Sequence, residues 1–391
     1  MKKSLLATAV AGLMLSPVVF AAQLYDNGNT SITGSGAIGA AVVNTNSKTE
    51  AINGGSKVHL DFAHKLQNNW NVFGTYEWGV NLAGQPELKV NNDALVSDQK
   101  SDFFYNRLGF VGVSHPVYGS LAIGKMYGAW WDVVKDTDNG AIWDGLAAGV
   151  YTFKGDGGVN GVGRSDQTIQ YRNTFGNLSV AIQAQVKENS FSIDPTSKDS
   201  PFPTHALPAN ITYKNTYGIG LRYQVVPQVT LTAGYNRGKF DIDYGAISNI
   251  KKPDDADKIY GGGIVLGDWD APGFYAAANY NQTTFHDVDN IGRMIPSSKG
   301  VEAAASYLMD NGLRFYVQYD VLNAGDDYKQ AYDGDTFKRA NVIGSLQYQI
   351  DPQTLVYLEG RIDKSDFKGS HEAAMTASDD DGVGIGIKYS F

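Results

Sequence analysis

Apolar and polar residues alternate with a period of two along most of the chain. At that spacing successive side chains of an extended strand turn to opposite faces. "VHLDF" puts Val58, Leu60 and Phe62 on one face, and "WNVFGTYEWGV" does the same with Trp70, Val72, Gly74, Tyr76, Trp78 and Val80. "LSVAIQAQV" sets Leu178, Val180, Ile182, Ala184 and Val186 against Ser179, Ala181, Gln183 and Gln185. "LRFYVQYDV" sets Leu313, Phe315, Val317, Tyr319 and Val321 against Arg314, Tyr316, Gln318 and Asp320. The final "GVGIGIKYSF" lines up Val383, Ile385, Ile387, Tyr389 and Phe391. A terminus that frays in water has no packing use for Phe391. A closed barrel in lipid does, because its last strand pairs with its first and turns its outer row to hydrocarbon.

The breaks between strands come in two sizes. Turn-forming residues make short breaks at 67–69, 115–119, 175–177, 226–228, 267–273, 309–312 and 351–353. Longer polar segments such as 81–102, 188–210 and 364–381 separate them. Seven tight turns join strands in pairs, with one further strand at each end, which predicts about 16 strands, an even number as bacterial outer-membrane barrels require. Short turns on one rim and long loops on the other match the periplasmic and extracellular sides of such a barrel. Trp70, Tyr223, Trp269, Phe274, Tyr307 and Tyr348 lie near the short turns, where an aromatic girdle would meet the headgroups.

Composition narrows this all-β reading. The 391 residues are 42% hydrophobic, with 45 Gly, 23 Tyr, 17 Phe and no Cys. Beyond the N-terminus no apolar run approaches a membrane-spanning helix. The mean hydropathy of -0.27 is compatible with a barrel, whose strands dilute each apolar residue with a polar one. "MKKSLLATAVAGLMLSPVVFAAQLYD" reads as a secretory signal peptide over 1–21, with Lys2 and Lys3 as its basic start and Val19-Phe20-Ala21 as its cleavage site. Cleavage falls after Ala21 or Ala22, and the former suits the small-residue rule better. Losing Lys2 and Lys3 takes the basic count from 32 to 30 against 41 acidic residues, a formal charge of -11. Such a chain is a poor partner for nucleic acid.

Motifs for chemistry are wanting. "GSGAIG" (Gly34, Gly36, Gly39) matches a dinucleotide fingerprint but sits inside a strand with no helix after it. Its small residues suggest a flat wall for close packing. The six histidines show no metal-ligand spacing, no Ser stands in a G-x-S-x-G elbow, and "DTDNG" lacks the later ligands of a calcium loop. Without such a motif, an outer-membrane hydrolase stays a minor alternative. No catalytic residue, metal or cofactor is expected.

One loop, about 128–163, is longer than the rest. It is entered through "KMYGAWWDVVKDTDNGAIWDG" and leads into "GRSDQTIQYRNTFGNLSVAIQAQ". With the preceding "NRLGFVGVSHPVYGSLAIGKMYG" and the ending "GIGIKYSF", the chain strongly resembles the trimeric general porins of Gram-negative bacteria. The likeness runs over 22–391 and is most specific from Asn106 to Gln185.

The resemblance implies that this third loop folds into the lumen and opposes acidic residues to basic ones on the wall. Matching positions are Arg107, Arg164 and Arg172 for the wall and Asp138 for the loop, with Asp144 and Asp136 as further loop acids. Arg164 and Arg172 stand an even number of residues apart, so one strand can aim both inward. The sequence departs from the family at the loop tip, where Ile142 replaces a Glu and Asp144 appears two places on. Ser35 and His59 stand where two further bases would be, which thins the ladder.

The implied function is passive diffusion of small hydrophilic solutes and ions across the outer membrane, with weak cation preference. A homotrimer is implied, packed through Gly34, Gly36 and Ala40, with 81–102 reaching to a neighbour. Outer-membrane lipid, lipopolysaccharide and the insertion machinery that reads the strand ending at Phe391 complete the partners. Two other functions stay open. A sugar- or nutrient-selective channel could use Trp130, Trp131, Trp143, Tyr151 and Phe153 as a stacking track. A plugged structural or adhesive barrel would not conduct.

Overall fold

The computed structural model describes residues 21–46, 48–84, 102–187, 189–194, 208–244, 256–376 and 381–391. Residues 1–20 of the expected signal peptide (1–21) and most of 81–102 lie outside the described residues. Sixteen long strands follow one another in an antiparallel meander. They are β1 Thr30–Thr45, β2 Lys57–Lys65, β3 Asn71–Val80, β4 Phe104–His115, β5 Gly119–Tyr127, β6 Arg164–Phe175, β7 Leu178–Gln185 and β8 Ala209–Val226. Then come β9 Val229–Asp243, β10 Asp257–Leu266, β11 Gly273–Thr284, β12 Ser297–Leu308, β13 Leu313–Ala324, β14 Thr336–Asp351, β15 Thr354–Asp363 and β16 Gly382–Ser390. The sheet closes where β16 pairs with β1, from Ala37 opposite Ser390 to Thr45 opposite Gly382. Closure leaves no unpaired edge, the condition for a sheet in hydrocarbon.

All seven short turns lie where the turn residues placed them. At the first, Asn68 and Asn69 both take positive φ, 57° and 62°. That is the type I′ geometry whose twist matches a two-residue hairpin, and Asn tolerates it. Four shorter strands pair outside the meander: Ala22–Asp26 and Thr49–Asn53 on β1, Asn189–Ile193 on β8 and Asp366–Lys368 on β14.

The two faces differ in chemistry. Val111, Val113, Leu121, Ile123, Ile182, Leu231, Phe315, Val317, Leu346, Ile385 and Ile387 are exposed on the outside. Thr75, Glu77, Gln170, Gln183, Asn236, Asn281, Gln318, Asn341, Glu359 and Arg361 are buried on the inside. A continuous apolar band of this extent has no counterpart on a protein surface in water, and lipid is its complement. Among the described residues no helix is long and apolar enough to cross a membrane.

Of the aromatics near the short turns, Tyr223, Phe274, Tyr307 and Tyr348 are exposed on the outer face. Trp269 is a correction. It turns inward, under the Arg314 guanidinium at 3.7 Å and edge-on to Tyr316 at 5.7 Å. The glycines of β1 also serve differently from a bare wall. A Cβ on Gly34 would meet the Leu24 side chain at 2.9 Å, and one on Gly36 the Phe391 ring at 2.8 Å. These positions make room for Leu24 and Phe391 of the same chain, while Ile38, Ala40 and Val42 stay exposed.

Candidate pore constriction

The connection from β5 to β6 is the infolded loop, closed at its base by the Gly128 N–H on Gly163 O at 2.7 Å. It begins with a short helix, α1 (Trp131–Val134), and a 3-10 turn, Lys135–Thr137. Trp130 is wholly buried, packs with Val133, Val134, Ala148, Val150, Val162 and Ile259, and donates Nε1–H to Ala148 O at 2.9 Å. Apolar packing thus pins the loop's root to the wall.

Wall carboxylates hold the rest. Glu359 on β15 accepts the N–H groups of Ala141, Ile142 and Trp143 at 2.8, 2.7 and 2.8 Å. Glu302 on β12 accepts those of Ala147 and Ala148 at 2.9 and 2.8 Å and the Thr137 hydroxyl at 2.5 Å. Asp287, in the connection from β11 to β12, accepts the Phe153 N–H at 2.8 Å. A loop crossing a lumen exposes backbone donors that no ladder satisfies, and these acids satisfy them. Ile142, at the position of the missing Glu, is buried with Trp143 against Val43, Ile52 and Tyr357.

Between the loop and the wall an open space is lined by Lys57, Arg107, Arg164 and Lys388 on one side and by Gly140, Asp138, Asp144 and Tyr151 on the other. Asp138 and Asp144 hydrogen-bond each other, and the Tyr151 hydroxyl donates to Asp138 at 2.9 Å. Burial pushes the Asp138 carboxyl up to about 6, against the bonds from Asp144 and Tyr151.

Of the wall bases, Arg107 is the extra residue of a β-bulge, where β3 and β4 slip register between Glu77 and Trp78. Bulges re-aim side chains, and Arg107 points its Nε at Glu77 at 2.8 Å. Lys57 and His59 reach the same carboxylate at 3.3 and 3.2 Å. Arg164 lies 3.5 Å from Asp156, which Lys125 also reaches at 3.0 Å. Burial disfavours ionising Asp156, yet Arg164 and Lys125 outweigh it and hold its pKa down to about 2.

Arg172 and Asp136 sit elsewhere, at the loop's foot toward the short turns. Arg172 pairs with Asp132, and Arg222 on β8 grips Asp136 with two bonds, at 2.5 and 3.2 Å. The arrangement therefore brings Arg107 and Arg164 to the same space as Asp138 and Asp144, and puts Arg172 and Asp136 in separate ion pairs. Sequence reading missed Lys57, Lys388, Lys125, Arg222 and the loop-holding acids Glu302 and Glu359. Lys57 and Lys388 make the basic side fuller than Ser35 and His59 implied. Both are inward residues in polar rows, which was the available signal.

Three of the five loop aromatics are withdrawn from any solute: Trp130 and Trp143 are fully buried and Phe153 is 2% exposed. Trp131 and Tyr151 face the open space, Trp131 stacked on Tyr127 at 5.0 Å.

Comparison with known proteins bears on this geometry. A family model described as Gram-negative porin matches residues 7–370. Over their full lengths and that of this chain, the Outer membrane porin F of Salmonella typhi is 24% identical and the Outer membrane porin N of Escherichia coli 25%. The Outer membrane porin protein OmpD of Salmonella typhimurium is 27% identical, again over both full lengths. Among solved structures, Salmonella typhi OmpF in complex with daunomycin superposes with a TM-score of 0.71 at 19% identity, covering 95% of this chain and all of that one. The anion-selective porin from Comamonas acidovorans gives 0.60 at 14%, covering 93% and 100%.

Proposed function

Because the chain belongs to the family of Gram-negative porins, we propose that it is a homotrimeric outer-membrane channel through which ions and small hydrophilic solutes diffuse passively, with a weak preference for cations. One observation carries this reading. The infolded loop narrows the lumen without filling it, and leaves opposed acids and bases around an open space. Fixed charges facing each other across a narrow aqueous gap set up a transverse field that favours polar solutes over apolar ones. At physiological salt the field reaches about 8 Å, so it acts at the narrowing and fades in the vestibules.

The charges near the gap nearly balance. Lys57, Arg107, Lys125, Arg164 and Lys388 stand against Glu77, Asp138, Asp144, Asp156 and Asp166. With even local charge, the formal charge of -11 that remains once Lys2 and Lys3 leave with the leader tips selectivity weakly to cations. The burial of Trp130, Trp143 and Phe153 weighs against a sugar track. The function needs no cofactor, metal or catalytic residue.

Assembly belongs to the same reading. One of the similar structures is a Vibrio cholerae OmpT described in its trimer form (TM-score 0.58, 13% identity, covering 93% of this chain and 100% of that one). The exposed Ile38, Ala40 and Val42 of β1 would meet a neighbouring subunit, with lipid and lipopolysaccharide around the rest. Insertion would use the strand that ends at Phe391, after removal of the leader 1–21. Step-wise conductance in a planar bilayer, with a small cation-directed reversal potential in a KCl gradient, is the expected result. Protein that never conducts, or that sediments as a monomer after mild extraction, would overturn the channel or the trimer respectively.

A further inference from the structure

Apolar inward residues such as Val43, Ile52, Tyr357 and Ile259 are covered by the infolded loop, but one apolar stretch lines a recess instead. On β3, β4 and β5, Phe73, Leu108, Phe110, Ala122 and Met126 turn into the lumen and line one recess. The recess lies on the short-turn side of the constriction, since Phe73 is close to the 67–69 turn and Ala122 to the 115–119 turn. The bed has a definite shape. Gly112 sits between Phe73 and Ala122, and a Cβ there would come within 2.7 Å of the Phe73 ring and 2.9 Å of Ala122 Cβ. Without that Cβ, Phe73 lies down on the wall, edge-on to Phe110 at 6.3 Å. The stacked pair Tyr127 and Trp131 closes the other side. The space between has a cavity volume of about 160 Å³ and opens on the lumen.

Charge around the bed is unequal. Glu77 is already matched by Lys57, His59 and Arg107, Asp132 by Arg172, and Asp136 by Arg222. The Lys135 ammonium, on the loop and lining the same recess, makes no hydrogen bond or salt bridge among the described residues. Asp132 and Asp136 lie near this ammonium without bonding it, each held by its own arginine. An apolar bed beside such a cation is complementary to a molecule with an apolar body and one anionic group.

We propose that this recess is a binding site for small amphiphilic anions, of the class of monocarboxylates that carry an aromatic ring or a long aliphatic chain. The body lies on Phe73, Phe110 and Met126, and the carboxylate meets Lys135. The inference rests on the lumen being an open channel. It adds that the channel discriminates by amphiphilicity: hydrophilic ions pass, and an amphiphilic anion dwells and interrupts the current.

The test is single-channel recording of the full-length protein with three probes: 3-phenylpropionate, propionate and 3-phenylpropylamine. Phenylpropionate should give transient closures at least tenfold longer or more frequent than either control. Lys135→Gln should shorten them about tenfold while open-channel conductance stays near the wild-type value. Met126→Ser should shorten them without altering conductance. Closures equal for propionate would show a charge effect only, closures equal for the amine would show an apolar effect only, and either sinks the proposal. So do closures indifferent to Lys135→Gln. Normal conductance with no closures refutes this site alone, whereas absent conductance refutes the channel reading. The wild-type probe comparison decides the matter even where a variant fails to assemble.

Discussion

The Glu359 carboxylate accepts the backbone N–H of Ile142 at 2.7 Å, a bond that joins a barrel wall strand to the tip of a loop 217 residues earlier. The same carboxylate takes the N–H groups of Ala141 and Trp143. Glu359→Ala would strand three donors, and a buried donor without a partner costs about 1–3 kcal/mol. The loop tip should leave the wall for part of the time, while strand pairing is untouched. Single-channel recordings should show altered mean conductance and greater open-channel noise, with Glu359→Gln milder because it keeps an acceptor oxygen. Traces indistinguishable from wild type would show that apolar packing of Trp143 and Ile142 alone holds the tip.

Selectivity should follow the charges that share the open space. Arg164→Ala removes a wall base and should raise cation preference. Asp138→Asn combined with Asp144→Asn should lower or reverse it. Arg172→Ala, whose partner is Asp132 at the loop's foot, should change the ratio less than Arg164→Ala. Reversal potentials in a KCl gradient measure all three, and an anion-selective wild type would contradict the assignment.

The acid pair makes selectivity depend on pH. Asp138 has its pKa raised to about 6 by burial, so it takes up a proton as pH falls through that value. The gap then loses one negative charge, and cation preference should decline between pH 7 and 5. Asp138→Asn should flatten the profile. The sign for stability is the same direction: the fold favours the neutral acid, so this group adds stability as pH falls from about 6 toward the ordinary carboxylate range. A reversal potential that moves only below pH 4 would place the titration on another group.

Chain closure can be tested at Phe391. Its N–H and C=O exchange bonds with Gly36 at 3.0 and 2.8 Å, and its ring fills the space a Gly36 Cβ would need. Deleting Phe391 should reduce assembled barrel in the membrane more than it destabilises barrel already folded. Gly36→Val should do likewise, since its Cβ would also lie 2.6 Å from Lys57 O. Folded and unfolded species separate by gel mobility before heating, and normal amounts of folded deletion variant would refute the claim.

The alternation of apolar and polar residues and the chemistry of the short turns determined the strands, their pairing order and the lipid-facing row. Both are local properties: side-chain direction repeats every two residues, and a turn is settled by a few φ angles such as those of Asn68 and Asn69. Which lumenal charges meet was decided only by the tertiary structure. Bulges at Arg107 and around Gly124 to Met126 break the two-residue parity on which counting along a strand depends. The loop's path is set by carboxylates at Glu302 and Glu359, more than 150 residues away in sequence. Arg172 and Arg164 lie on one inward face, yet they meet different acids, because the strand is long enough to put one at the narrowing and the other near the short turns. Pairing across a lumen depends on distance in space, which period and spacing along one strand do not contain.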